Sequence, residues 1–495
     1  MSSPSSASPR ADQFARALLL TALYSSVALV CMHLTTASDP DIWWHLRAGE
    51  WILQHHSLPH VDPFSRSAAQ QPWAAYSWLF EVLVLKLYRN LDLTGLVAYS
   101  SALTLAITAA IHHATNRLQA DFTKVMLLTF AAAISISRLY APRPWLFTIL
   151  FFVIEIDVLM YARRTGKTRE LLFLPVLFAL WSNLHIQFVD GLLVLALAVA
   201  EAFLSEGWWQ RARLPRATMC WAGIACLLAT MANPYGWKIY QVAYALASQP
   251  GVLNTVSELQ AMPFRSLSDF LVLGLILAAV ASLAGRKRIP IFEALLLALA
   301  VFLSFRSQRD LWFGSLVAVV ILASETSGAE EQRQHCLPLW IKPLIAVFVG
   351  LAVFSGAKVL HVNNAKLHER LAQEMPVQAV ELVKKRGYSG PLYNDYEWGG
   401  FLLWHLRMPV SIDGRAALYG DQRINRSIAT WRAEPDWASD PELASASLVI
   451  APVKAPLTQI LRLDSGFHLV YEDKVAAVFS HFQPATRLSD AAIRP

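Results

Sequence analysis

The stretch Trp73-Ala-Ala-Tyr-Ser-Trp-Leu-Phe-Glu-Val-Leu-Val-Leu-Lys-Leu-Tyr-Arg-Asn90 decides how the chain is threaded. It is apolar enough to be counted as a membrane crossing, but it also carries Glu81, Lys86 and Arg89. Each of these charges is costly in hydrocarbon, whereas an amphipathic helix lying at the bilayer surface tolerates them. We therefore predict that this stretch does not cross, and that residues 37–93 form one long outer loop with interfacial helices.

The composition indicates a membrane protein. Of the 495 residues, 55% are hydrophobic and only 16% are charged, and the mean hydropathy is +0.39. Such a chain has too little polar surface for a soluble globule of this length. The net charge of +6 arises from Lys and Arg in short clusters between apolar runs, which is typical of juxtamembrane anchors. The lipid bilayer is therefore an expected partner, and nucleic acid is not.

Apolar stretches of spanning length, taken as about 17 to 25 residues, recur along the chain as far as residue 360. We predict about eleven transmembrane helices, hence an all-α polytopic membrane domain over residues 1–360. The stretches lie at about 14–36, 94–114, 123–140, 145–162, 170–185, 187–205, 217–233, 268–285, 289–305, 310–325 and 340–360.

The basic clusters predict the orientation of these spans. Lys and Arg are enriched in cytoplasmic loops, and an inside N-terminus places every basic cluster in the cytoplasm only if 73–90 does not cross. The unusual polar groups at the ends of the spans then gather on the outer face. The clusters are Arg163 to Arg169, Arg211 to Arg216, and Arg286 to Arg288.

The last part of the chain, residues 361–495, has a mixed composition that predicts a small α/β domain. An odd number of spans places this domain outside. Helices are predicted at 376–383 and near 458–463, and strands at 391–394, 409–413, 447–451, 468–471 and 475–479.

An acidic pair follows the first apolar stretch, in Asp39-Pro40-Asp41-Ile42-Trp43-Trp44-His45. Tryptophans favour the headgroup level, so the two carboxylates lie at the water edge of the bilayer. An ionised carboxylate within reach of an acceptor's proton can act as a general base, and either one could ligate a metal. If 41–54 is helical, His45 shares a face with Asp41 and could orient it. The alternative is an acidic loop that is merely solvated.

Four arginines on the outer face are candidates for binding a substrate phosphate. Arg138 and Arg143 flank a proline-rich turn, and Arg306 and Arg309 stand three residues apart at the end of a late span. Guanidinium groups bind phosphate bidentately, and positive charge on the outer face runs against the usual bias. A lipid phosphate or diphosphate is therefore the expected ligand. The alternative is that these arginines only extend their side chains to the headgroup level and bind no substrate.

Three other polar residues are candidates for binding substrate. Asn183 and His185 lie where two spans meet without a polar linker. They either satisfy the backbone of that turn or reach into a cavity at headgroup level. Glu258 lies in a long loop, 234–266, which is the length expected of an element that covers a substrate.

With these features the chain resembles the glycosyltransferase C (GT-C) superfamily. That group includes bacterial oligosaccharyltransferases, protein O-mannosyltransferases and lipid A aminoarabinose transferases. Within this group the chain resembles poorly characterised bacterial members. The motifs that carry the resemblance are Asp39 to Leu46, Arg143-Pro144, Asn183-Leu184-His185, Trp398-Gly399-Gly400 and Asp413-Gly414-Arg415.

The resemblance implies transfer of a sugar from a polyprenyl-phosphate or polyprenyl-diphosphate carrier to a lipid, glycan or protein acceptor. The reaction would take place at the outer, periplasmic face of a bacterial inner membrane. The N-terminus would be cytoplasmic and the C-terminal domain extracytoplasmic. By position, Asp39 or Asp41 would be the catalytic carboxylate, and Arg306 or Arg309 would hold the carrier phosphate.

The chain departs from this group at two places. In oligosaccharyltransferases the second outer loop supplies an acidic pair, but Ser137 to Trp145 contains no carboxylate. The candidate cofactor is a divalent metal, Mg²⁺ or Mn²⁺, with Asp39 and Asp41 as its candidate ligands. A complete metal site is not expected. The Trp-Trp-Asp motif that reads the acceptor is also absent, so asparagine glycosylation of proteins is not expected.

Two other classes of function stay open at this point. A lipid or solute transporter or flippase would show ionisable residues along a path across the membrane, and inverted repeats with broken helices. A non-catalytic membrane scaffold would bind a partner through its outer domain, with Trp398 to Trp404 and Asp413 to Arg415 as the important residues.

Overall fold

The computed structural model describes residues 9–35, 39–204, 209–210, 214–248, 256–325 and 338–481. The chain divides into two compact units. The first comprises Met1–Ala37, Ala48–Leu58 and Ala75–His368, and the second comprises Ser38–Arg47, Pro59–Ala74 and Glu369–Pro495. Two of the basic residues used to predict orientation, Arg211 and Arg213, lie outside the described residues.

As far as residue 371, the described residues are helical wherever they are regular, apart from the two-residue strands β1 (Trp209–Gln210) and β2 (Ile289–Pro290). The helices are α1 (Pro9–Leu34), α2 (Ile42–His55), α3 (Trp78–Leu91), α4 (Leu93–Leu118), α5 (Phe122–Ser135), α6 (Trp145–Thr165), α7 (Leu174–Leu184), α8 (Phe188–Glu201), α9 (Arg216–Ala229), α10 (Lys238–Ala247), α11 (Leu267–Ala284), α12 (Ile291–Arg306), α13 (Leu311–Ala323), α14 (Ile341–Val359) and α15 (Asn364–Leu371).

Each of the eleven predicted apolar stretches contains one of these helices. Within the described residues, five helices are long and apolar enough to cross a membrane: α1 from Arg10, α4, α6, α11 and α14. The shorter apolar helices include α5 and α9. The chain is a multi-pass membrane protein, and eleven crossings remain a prediction.

Helix α3 occupies the stretch 73–90 and has 14 residues. At 1.5 Å per residue this gives about 21 Å, which is short of the hydrocarbon thickness of about 30 Å. Its charges have separate environments, because Arg89 pairs with Glu50 of α2 at 3.2 Å, Lys86 is exposed and Glu81 is buried. Gly49 permits this packing, since a Cβ there would come within 2.7 Å of the Glu81 carbonyl carbon.

Helix α13 lies at the centre of the first unit and contacts α4, α5, α11 and α12. It is apolar on all sides, and nearly all of its residues are buried, as expected of a helix that is surrounded by others. Trp312 and Phe313 pack on Phe152 of α6, with ring centroids 5.0 and 4.5 Å apart. This core sets the positions of the turns at both ends of α13.

The second unit contains a four-stranded sheet in the order β3 (Leu392–Asn394), β4 (Leu448–Pro452), β6 (Ala476–His481), β5 (Phe467–Glu472). Strand β3 runs parallel to β4, and β6 is antiparallel to both β4 and β5. The helices are α16 (Val377–Arg386), α17 (Gly399–Leu406), α18 (Ala416–Trp431), α19 (Pro441–Ala444) and α20 (Pro456–Leu461). This confirms four of the five predicted strands.

The fifth predicted strand, 409–413, is wrong. This segment makes one isolated bridge, between Val410 and Ser65, instead of joining the sheet. Its Ser411 amide donates to Asn394 Oδ1 at 2.9 Å, and the Ile412 carbonyl accepts from Asn394 Nδ2 at 2.8 Å. A side chain at the end of β3 therefore takes the hydrogen bonds that a strand partner would make.

Candidate functional site

The acidic pair of the opening motif lies in the turn that leads into α2. Asp39 Oδ1 accepts a hydrogen bond from the amide of Asp41 at 3.0 Å, and the Asp41 carbonyl accepts from the amide of His45 at 3.2 Å. Both carboxylates are partly exposed, whereas His45 is buried against Trp44. Asp39 therefore fixes the backbone at Asp41.

The other two motifs of the second unit pack directly on this turn. A Cβ on Gly414 would overlap the Asp41 Oδ1 atom, and a Cβ on Gly400 would come within 2.7 Å of the Pro40 carbonyl oxygen. Trp43 packs its ring edge-on against Phe401, with centroids 5.2 Å apart. These glycines are needed for close approach. Three motifs far apart in the sequence thus meet around the acidic pair.

A buried ion network lies beside Gly414. Arg415 donates to Asp413 Oδ2 at 2.7 Å and to Asp62 Oδ1 at 2.6 Å, and all three side chains are almost fully buried. Its guanidinium also lies 4.8 Å from the ring centroid of Trp73. Burial lowers the pKa of Arg415, but Asp413, Tyr419 and Asp62 together outweigh burial and raise this pKa well above its ordinary value. Segment 59–74 and the Asp413-Gly414-Arg415 motif are therefore held together by charge.

Two of the predicted arginines in the first unit have structural partners. Arg138 donates to Asp269 Oδ1 at 2.8 Å and to the Gln308 carbonyl at 2.7 Å, so it ties its turn to the start of α11 and the turn before α13. Arg143 is buried, with its guanidinium 5.2 Å from the Trp145 ring. Phosphate binding by these two arginines stays a prediction.

Asn183 and His185 are both buried at the turn between α7 and α8. Asn183 donates to the carbonyls of Ala179 and Ala232 at 2.7 and 2.8 Å, and it accepts from Trp78 Nε1 at 2.8 Å. His185 Nδ1 lies 2.8 Å from Thr148 Oγ1. Asn183 therefore stabilises the junction of three segments. Substrate binding by Asn183 and His185 stays a prediction.

Arg309 is one of the two predicted arginines at the end of the late span. It pairs with Glu258 at 3.7 Å and lies 5.9 Å from the ring centroid of Trp145. Its Nε atom is buried without a hydrogen-bond partner among the described residues. Arg306, at the end of α12, is exposed. The structure thus brings together two of the predicted residues, Arg309 and Glu258.

The sequence did not predict two acids in this region, Asp190 and Asp310. Gln187 Nε2 donates to Asp310 Oδ1 at 2.8 Å and to Asp190 Oδ2 at 3.2 Å, and it thereby links the α7–α8 turn to the start of α13. Arg309 attracts both carboxylates and also acts on His185. For Asp310 the available signal was its position directly after Arg309 at the end of a span.

The predicted site residues therefore fall into two groups, one in each unit. Asp39, Asp41 and His45 belong to the second unit, and the remaining predicted residues belong to the first. Among the described residues, no three His, Cys, Asp or Glu side chains come together so as to hold a metal ion. Hard divalent cations take about six or more oxygen ligands, with water filling what the protein does not supply. The residues described do not fit a protein-held divalent metal.

The architecture is similar to that of solved oligosaccharyltransferase structures. The archaeal oligosaccharyltransferase AglB from Archaeoglobus fulgidus, in complex with an inhibitory peptide and a dolichol-phosphate, is 10% identical, with a TM-score of 0.55 over 95% of this chain and 75% of that chain. The Archaeoglobus fulgidus oligosaccharyltransferase tethered to an acceptor peptide is also 10% identical, with a TM-score of 0.57 over 94% and 74%. Its complex with Zn and sulfate is 11% identical, with a TM-score of 0.54 over 93% and 73%.

No protein-family model matches the sequence, and no curated protein matches it either. The similarity is thus visible in the fold and not in the overall sequence. The chain has the GT-C fold that its short motifs predicted.

Proposed function

We propose that this protein is a membrane glycosyltransferase that moves a sugar from a polyprenyl-phosphate or polyprenyl-diphosphate carrier to an acceptor at the outer face of a bacterial inner membrane. The observation that carries the proposal is the fold, which follows an oligosaccharyltransferase over 94–95% of the chain. One of those structures contains a dolichol-phosphate, which is a lipid phosphate of the proposed class. Because one fold can support several chemistries, the proposal also depends on two groups of residues.

The first group supplies the base. Asp41 directly precedes α2 and its side chain is partly exposed, and Asp39 accepts a hydrogen bond from the Asp41 amide. We assign Asp41 as the general base and Asp39 as the residue that positions it. Gly414, which leaves room for the Asp41 carboxylate, completes this group.

The second group supplies the phosphate site. Arg309 has an unused Nε donor and a weak 3.7 Å pairing with Glu258, so a phosphate could displace Glu258 at little cost. Hydrogen bonds between a guanidinium and phosphate are charge-assisted and bidentate. Trp145 holds the guanidinium from one face. Arg306 is the exposed basic residue nearest in sequence and adds positive charge.

In the proposed reaction, the Asp41 carboxylate takes the proton of an acceptor hydroxyl. The acceptor oxygen then forms a bond to the anomeric carbon, and the bond from that carbon to the carrier phosphate oxygen breaks. The bonding electrons leave with the phosphate, where Arg309 stabilises the new negative charge.

The test is the amount of lipid-linked sugar in the native host. Cells that carry Asp39→Asn together with Asp41→Asn should accumulate polyprenyl-linked sugar, since the donor is made but not consumed. Mass spectrometry of lipid extracts measures this directly. Glu434→Gln, which removes an exposed carboxylate of the second unit, is the matched control and should leave donor levels unchanged. Wild-type donor levels in the double variant would refute the assignment of the base.

A further inference from the structure

A second polar group lies within the second unit, away from the acidic pair and not used by the mechanism above. It is centred on Asp440, which precedes α19. Asp440 Oδ2 accepts from Tyr393 Oη at 3.0 Å and from Thr430 Oγ1 at 3.1 Å, and Oδ1 accepts from the amide of Glu442 at 2.9 Å. The hydrogen-bonding capacity of this carboxylate is thus largely used by neutral donors.

Arg423 of α18 lies against this carboxylate without making a hydrogen bond to it. Its Nη1 atom is 3.5 Å from Asp440 Oδ2, and Nε, Nη1 and Nη2 all have no hydrogen-bond partner among the described residues. The Arg423 side chain is only 10% exposed. The Asp440 carboxylate attracts the guanidinium, but the N–H groups of Arg423 form no hydrogen bonds with the described residues.

The same face of α18 carries two more buried donors. Ser427 and Trp431 follow Arg423 at intervals of four residues, so the three side chains lie on one side of the helix. Ser427 is 2% exposed and Trp431 is 7% exposed, and neither Ser427 Oγ nor Trp431 Nε1 has a hydrogen-bond partner within the described parts of the chain. The Trp431 ring stacks on Tyr393, which directs this face toward Asp440.

Another guanidinium, from the part of the second unit formed by residues 59–74, reaches segment 440–445. Arg66 Nη2 donates to Ser445 Oγ at 2.7 Å, while its Nη1 atom is also buried without a partner among the residues described. The surroundings of segment 440–445 therefore contain two guanidinium groups, a hydroxyl and an indole N–H. Donors outnumber acceptors, which is the pattern expected around an anion.

Leaving a buried polar group unsatisfied costs about 1–3 kcal/mol, and more if it is charged. Several such donors on one helix face are therefore unfavourable unless a ligand accepts from them. We propose that Arg423, with Ser427, Trp431 and Arg66, binds an oxyanion, either free phosphate or the carboxylate of an acidic sugar. The exposed tenth of the Arg423 side chain is the point of entry. This site is independent of the proposed transfer reaction.

The experiment is hydrogen exchange with mass spectrometry on the full-length protein in nanodiscs, with inorganic phosphate, glucuronate or chloride at equal ionic strength. Phosphate or glucuronate should slow exchange in peptides covering α18 and residues 440–445, and the effective anion identifies the source. Arg423→Gln should abolish this protection. Arg432→Gln, which alters an exposed arginine beside the same helix, should keep it.

A variant with a smaller effect keeps the test valid if Arg423→Gln fails to fold. Ser427→Ala removes one neutral donor and should raise the half-maximal anion concentration by about two- to tenfold. The absence of protection in the wild-type protein with both anions would overturn the proposal. Equal protection in the wild-type protein and a folded Arg423→Gln variant would overturn it as well. Because no sugar transfer is measured, failure here leaves the proposed function untouched.

Discussion

The Asp41 carboxylate occupies the space that a side chain on Gly414 would fill. The two residues are 373 positions apart in sequence, and their contact brings the acidic opening motif against the Asp413-Gly414-Arg415 motif. Gly414 is therefore required by close approach and not by backbone conformation, because its φ is not in the left-handed region.

Gly414→Ala should displace the Asp41 carboxylate and lower the rate of sugar transfer by at least about tenfold, since displacement of a reacting group by about 1 Å costs as much as a hundredfold. Donor accumulation in cells measures the effect. Gly350→Ala, at a helix position with open space around the glycine, is the control and should behave as wild type. Normal turnover in Gly414→Ala would mean that the position of Asp41 does not matter.

Removing one partner of the buried Asp62–Arg415–Asp413 network should unfold the second unit more easily. Asp62→Asn leaves Arg415 short of a charge partner, and breaking a buried pair costs about 3–5 kcal/mol. Limited proteolysis should then cleave within residues 369–481 at lower protease concentrations. Arg462→Ala, which breaks an exposed pair with Glu472, should change little. Equal resistance of the Asp62→Asn and Arg462→Ala variants would contradict a structural role of the network.

Arg309→Ala should weaken binding of undecaprenyl phosphate by about tenfold or more, because hydrogen bonds to charged groups contribute about 1.5–3 kcal/mol each. Binding to the protein in nanodiscs can be titrated with the fluorescence of its tryptophans. Arg306→Ala should have the smaller effect, as its side chain is exposed. A larger loss in Arg306→Ala than in Arg309→Ala would reassign the phosphate site.

Asp395 predicts a pH dependence of stability in the second unit. Burial raises the pKa of its carboxyl, although the amides of Glu397 and Tyr396 donate to it. The folded state then binds the proton more tightly than the unfolded state does, so stability falls as the pH rises above the ordinary value of about 3.9. Asp395→Asn should raise the unfolding midpoint at pH 7.5 by a few degrees and have little effect near pH 3.

The matched control for Asp395 is Asp464→Asn. Like Asp395, Asp464 accepts a hydrogen bond from the backbone amide two residues later, here Gly466 at 2.7 Å. The unfolding midpoint of Asp464→Asn should not rise above that of wild type at neutral pH. A lower midpoint for Asp395→Asn than for wild type at pH 7.5 would show that the ionised form is the one that the fold prefers.

The membrane helices could be predicted from the sequence because hydrophobic length is a local property. Every predicted apolar stretch holds a helix. That 73–90 does not cross the membrane, as Glu81, Lys86 and Arg89 indicate, stays a prediction. The conformation of 409–413 could not be predicted from local sequence. Its backbone groups at Ser411 and Ile412 form hydrogen bonds with the side chain of Asn394, which lies in another part of the chain.

The site could be predicted only in part. Short motifs made Asp41 and Gly414 candidates, and charge at the end of a span made Arg309 one, but the neighbours of these residues depend on tertiary packing. Asp190 and Asp310 meet through Gln187 across 120 residues of sequence, and no local pattern indicates such a contact. The hydrogen bond from the Asp41 amide to Asp39 likewise appears only when the turn before α2 is formed.

The central claim is that this protein breaks the bond between a sugar and its lipid phosphate carrier. The most direct measurement uses purified protein in proteoliposomes that contain polyprenyl-linked sugar extracted from the native host, together with a host membrane extract as acceptor. Mass spectrometry follows the conversion of donor to free polyprenyl phosphate or diphosphate. Wild-type protein should convert the donor, and Asp41→Asn should convert it at least a hundredfold more slowly. This ratio corresponds to about 2.7 kcal/mol in activation free energy. A donor that stays intact with wild type, as a transporter or scaffold would leave it, would contradict the account.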